Sequence, residues 1–141
     1  MTRRAAVALT LAAALTGPLN TPHVDAQTPG LTGGSQVSRM YDAILDARFT
    51  ELPTRRSETC PPAPTEVCAL LSLVSTWWQI QLDPHNRSRD EAFQKQADSV
   101  VADVEQWTRR ESSRAEAWFY LGASIGARAV RHLFTNVPAA E

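Results

Sequence analysis

Ala115-Glu-Ala-Trp118-Phe-Tyr-Leu121-Gly122-Ala-Ser-Ile125 places Trp118, Leu121, Gly122 and Ile125 at steps of three and four, and Gly126 continues the series. A helix turns every 3.6 residues, so these positions share one face. Just ahead, Ser113-Arg-Ala-Glu116 has the spacing of a capping box, in which a hydroxyl and a carboxylate each satisfy a free N–H of the first turn. The spacing predicts a helix that opens near Ala115 and turns Trp118 and Leu121 toward a neighbour.

The same period recurs upstream. Phe93, Ala97, Val100, Val104 and Trp107 alternate steps of four and three, and Ser88-Arg-Asp-Glu91 before them is a second capping box. Val67, Leu70, Leu71, Val74, Trp77 and Trp78 form another stripe, with Thr65 as its expected N-cap and Asp83-Pro84 at its end. Cys60-Pro-Pro-Ala-Pro64 stops any helix before it. A short segment at about 51–59 tolerates Pro53 only in its first turn. Val37, Met40, Tyr41, Ile44 and Leu45 predict a first helix over about 35–47. No stretch alternates apolar and polar residues over a useful length, so the expected fold class is all-α. Trp107 and Trp118 are expected in the core.

The Trp118, Leu121 and Gly122 spacing resembles the first helix of a tetratricopeptide repeat, whose pattern is W-x₂-L-G-x₂-Y. Ile125 stands where that family has an aromatic residue, and Ser112 stands where it often has Pro. The resemblance implies a short array of antiparallel helix pairs, as in divergent exported bacterial proteins of this type. It makes Gly122 a point of close helix approach, with Trp118 and Leu121 filling the space between paired helices. It also implies a non-catalytic scaffold that binds a protein or peptide, with the first helix of each pair lining an inner groove. On that reading Trp78, Gln79, Phe119 and Arg128 are the candidate groove residues. After the last stripe the chain has no room for a full partner helix. A truncated member of a longer family, or an open end that offers an apolar face to a second copy, both fit.

The first 26 residues read as a signal peptide. Arg3 and Arg4 precede an uncharged Ala/Leu run from Ala5 to Thr16; Gly17-Pro18 then breaks it, and Val24-Asp25-Ala26 suits cleavage after Ala26. The run is shorter than the ~20 residues that span a bilayer, so no stable membrane span is expected. Residues 27–34 (QTPGLTGG) read as a flexible linker, and 35–141 as one helical domain with an incomplete last repeat. Export implies a periplasmic or secreted location. There, two cysteines, Cys60 and Cys68, favour a disulfide over free thiols.

Charge and motif narrow the function further. A formal net charge of −1 gives no electrostatic footprint for nucleic acid. No phosphate loop, dinucleotide fingerprint, H-E-x-x-H or nucleophile elbow occurs, and His85 and His132 stand in no catalytic spacing. No cofactor, metal or catalytic residue is expected. A small-ligand protein or enzyme fragment with a hidden site, and a helical oligomerisation unit, are the competing readings.

Overall fold

The computed structural model describes residues 30–135. The signal peptide expected over residues 1–26, with cleavage near Ala26, lies outside the described residues. Among the described residues the regular structure is entirely helical: α1 (Gly34–Leu45), α2 (Leu52–Thr59), α3 (Thr65–Leu82), α4 (Asp90–Arg110) and α5 (Ala115–Thr135). Short 3₁₀ turns at Phe49–Glu51 and Arg87–Arg89 lead into α2 and α4.

Gly33 caps α1 in the left-handed conformation, φ +67°. A Cβ there would lie 2.8 Å from the Ala63 nitrogen, so glycine is required twice over. Of the expected linker, 27–34, residues 30–34 are described, and two of them contact the helical domain. The Thr32 N–H and hydroxyl both donate to the Glu116 carboxylate, at 2.8 and 2.9 Å, and Gly33 packs against Pro62 and Ala63. At its other end, α1 closes with the Arg48 N–H on the Ala43 carbonyl and the Ala47 N–H on that of Ile44. This is a Schellman motif, with Ala47 at φ 56° in the position that usually takes glycine.

The expected caps are displaced. Pro64 caps α3, and the Thr65 hydroxyl bonds Glu66 Oε2 at 3.2 Å rather than a backbone N–H. Neither capping box opens its helix as the spacing implied. Ser88 lies within a 3₁₀ turn and donates its N–H to Asn86 Oδ1, while α4 begins at Asp90. Ahead of α5, the Ala117 N–H bonds the Arg114 carbonyl, and the Glu116 carboxylate is drawn to Thr32 and Arg114.

Helix α3 is central and packs against α1, α4 and α5; α2 packs on α1, and α4 on α5. The stripe of α4 is buried as its periodicity requires, with Phe93, Ala97, Val100, Val104 and Trp107 all in the core. Removing an aromatic side chain from such a core costs roughly 3–5 kcal/mol, which makes α4 the main anchor. Helix α5 faces the core with a different stripe from the one its bulky residues suggest. Ala117, Tyr120 and Ser124 are buried, whereas Trp118 is 53% exposed and Ile125 is 42% exposed. The cause is the neighbour. Tyr120 stacks on Trp107 of α4 at 6.1 Å, and small Ala117 and Ser124 let the two helices approach. Trp118 is thus not a core residue, Leu121 is half-buried, and Gly122 meets nothing within 4 Å of where its Cβ would stand. Gly122 provides no close helix approach.

Cys60 and Cys68 lie at disulfide distance, 2.06 Å between sulfurs, and link the end of α2 to the second turn of α3.

Candidate functional site: an aromatic groove between α1, α3 and α5

Helices α1 and α5 both lean on α3, and the surface between them is a groove of about 420 Å³. Each wall follows from helical spacing. Helix α1 contributes Val37 and Tyr41, one turn apart, and α3 contributes Leu70, Val74 and Trp77. Helix α5 contributes Phe119, Ala123, Ala127 and Val130, a second apolar stripe rotated from the one that carries Trp118. Tyr120 lies beside Phe119, and Leu31 from the N-terminal turn also lines the groove. Among the described residues no charged side chain lines the groove, and four aromatic rings do: Tyr41, Trp77, Phe119 and Tyr120.

Two polar atoms in this lining are unusual. Trp77 Nε1 and the Tyr120 hydroxyl are shut from solvent and make no hydrogen bond. Two of the other three tryptophans bond theirs: Trp107 Nε1 donates to Glu111 Oε1 at 3.0 Å, and Trp118 Nε1 to the Ser112 carbonyl at 2.8 Å. A buried donor without a partner costs about 1–3 kcal/mol, so two within one groove are a feature to be explained. Burial, aided by the Glu116 charge, pushes the Tyr120 phenol above its ordinary range, so it stays a protonated donor at neutral pH. Around them, Phe119 stands edge-on to Tyr120 at 5.1 Å, and Trp78 tilts against Trp77 at 5.5 Å.

Of the four groove residues expected from sequence, the structure brings one into this lining. Phe119 is there, 57% exposed at the rim. Trp78 is half-buried against the core beside Trp77. The Gln79 amide turns back along α3 to Ser75, with its nitrogen 3.3 Å from the hydroxyl. Arg128 reaches Asp98 on α4 at 3.6 Å. Sequence reasoning missed Tyr41, Trp77 and Tyr120. The signal available was the four-, four- and three-residue spacing of Phe119, Ala123, Ala127 and Val130, masked by the bulkier stripe beside it.

Leu31 and Phe119 also border a second depression of about 500 Å³, lined by Gly30, Thr32, Ser113 and Arg114 among others. Its Arg114, Glu116 and Thr32 side chains bond one another. Arg114 donates to Glu116 at 2.7 Å, to Glu111 at 2.8 Å and to the Thr32 hydroxyl at 2.9 Å, with its guanidinium 5.3 Å from the Trp107 ring centre. This cluster fastens the N-terminal turn to the α4–α5 junction.

Among the described residues no three His, Cys, Asp or Glu side chains are arranged to hold a metal ion, and no helix is long and apolar enough to cross a membrane. No family model, curated protein or solved structure matches this chain.

Proposed function

We propose that the mature chain is an exported, non-catalytic binding module that holds an apolar peptide segment of a partner protein in the groove between α1, α3 and α5. The observation that carries this reading is the lining itself. An open groove of about 420 Å³ with four aromatic rings and, among the described residues, no charged side chain suits a desolvated apolar guest. The same arrangement supports the tetratricopeptide-like reading: α1 with α2 and α3 with α4 act as antiparallel pairs, and the groove is made by the first helix of each pair together with α5. On that reading Trp118, Gly122 and Ile125 mark the face where a further helix would pack, and a second copy of the chain is a candidate to cover it. Export follows from the leader, and the Cys60–Cys68 pair suits an oxidising compartment.

Ala123 is exposed and lines the groove, so Ala123→Trp would fill it while leaving the core intact. Wild-type chain should retain a partner from a periplasmic extract that the filled variant does not. Equal retention by both would remove the groove from the function.

A further inference from the structure

The two unused donors narrow the kind of peptide the groove takes, on the reading that the groove binds a peptide at all. We infer that its guest is an uncharged, proline-rich segment in the polyproline II conformation, whose backbone carbonyls accept from Trp77 Nε1–H and the Tyr120 hydroxyl. Among the described residues the lining supplies two buried donors and no charged group. An amphipathic helix has its carbonyls bonded within itself and would leave both donors orphaned. An extended segment of ordinary residues brings as many N–H groups as carbonyls, and the described lining has no spare backbone acceptor for them, since its walls are helices and the Leu31 carbonyl already accepts from the Gly34 N–H. Proline brings a carbonyl and no N–H.

Polyproline II has no internal hydrogen bonds, so its carbonyls are free, and its ordering cost is small because the conformation is preformed. Grooves lined by aromatic rings are the general solution for such segments. Here Tyr41 and Phe119 stand exposed on opposite walls, at 43% and 57%, while Trp77 and Tyr120 lie deeper. Tyr120 is 95% buried by the same measure, its exposure being 5%. The Phe119 ring, edge-on to Tyr120 and largely in solvent, is the side chain beside it that is free to move as a guest seats.

The test is calorimetric titration of the full, disulfide-bonded chain with an end-blocked, uncharged proline-rich peptide. Two comparators are an end-blocked Ala/Leu peptide that forms an amphipathic helix and a monoacylglycerol, a neutral non-peptide carrier of carbonyl oxygen. The proline-rich peptide should bind in preference to both, and Ala123→Trp should abolish that binding. Tyr120→Phe removes only the hydroxyl and should weaken it about five- to tenfold, as should Trp77→Phe. Binding that neither Phe variant weakens would overturn the inference. Preference for the helical peptide would overturn it while sustaining the peptide-binding function. Preference for the monoacylglycerol would overturn both. Failure of all three to bind would overturn the inference alone, the broader function then resting on the partner-retention experiment.

Discussion

Thr32 and Glu116, 84 positions apart in sequence, are joined twice: the backbone N–H of Thr32 donates to one carboxylate oxygen and its hydroxyl to the other. The Glu116 side chain is only 9% exposed, and Arg114 donates to it from a third direction. Hydrogen bonds to a charged group contribute more than neutral ones, and orphaned donors carry a penalty of their own. Glu116→Ala should therefore cost about 2 kcal/mol, whereas Thr32→Val, which keeps the backbone bond, should cost about half as much. Urea unfolding of the two variants measures the difference. Amide exchange at Thr32 should quicken in the first and not in the second. Unchanged unfolding midpoints in both would mean that the N-terminal turn is not fastened in solution.

Gly33 and Gly122 are opposite cases. Gly33 has positive φ and backbone atoms of Ala63 crowding the place of a Cβ; Gly122 sits mid-helix in open space. Gly33→Ala should destabilise by roughly 1–3 kcal/mol through left-handed strain and the clash. Gly122→Ala should stabilise by about 0.5–1 kcal/mol, since a helix-interior alanine costs less backbone entropy than glycine. Thermal melts of the two variants should move in opposite directions. A loss of stability in Gly122→Ala would show that a helix does pack on that face.

This contrast also marks where the sequence was legible. The stripe of α4 could be read directly, because Phe93 to Trp107 is apolar on one side only and the rest of the helix is polar. Helix α5 is apolar on most of its circumference between Ala117 and Ala127, with no charge to select a face. Size then misleads: Trp118 and Ile125 look like core residues, but the contact with α4 is close, and only Ala117 and Ser124 fit it beside Tyr120. The groove was hidden for the same reason, since Trp77 and Trp78 are adjacent and only the angle at which α1 and α5 cross α3 decides which of them lines it. The capping box ahead of α5 failed because Glu116 has a better use in a tertiary contact than in its own helix terminus, and a spacing rule sees only local partners.

Glu111 should make the chain sensitive to acid. Its carboxylate accepts from Arg114 at 2.8 Å and from Trp107 Nε1 at 3.0 Å, and chiefly the Arg114 bond holds it below the ordinary carboxylate range. Glu51 is lowered in the same way, first by Arg55. A depressed folded-state value means that the unfolded chain takes up the proton first. The stabilising contribution is then complete above the unfolded pKa of ~4.3 and is lost as pH falls through the lower folded value. Carboxyl-detected titration should find Glu111 below that range in the wild type and back within it in Arg114→Gln. An ordinary Glu111 titration in the wild type would contradict the pairing.

Tyr120→Phe yields a prediction that separates folding from binding. The hydroxyl is buried and unbonded, while the ring is fixed between Trp107, stacked at 6.1 Å, and Phe119, edge-on at 5.1 Å. Phenylalanine keeps both ring contacts and removes a polar group that has no partner in the unliganded chain. The free protein should gain up to about 1 kcal/mol, because an unsatisfied hydroxyl is the desolvation penalty without the bond. A binding site that holds a donor ready for its guest has this signature, since the residue that favours the complex weakens the empty fold. Urea unfolding of the unliganded variant measures the gain directly. A clear loss of stability would show that the hydroxyl already has a partner in the folded chain, and Tyr120 would then be a structural tyrosine rather than a waiting donor.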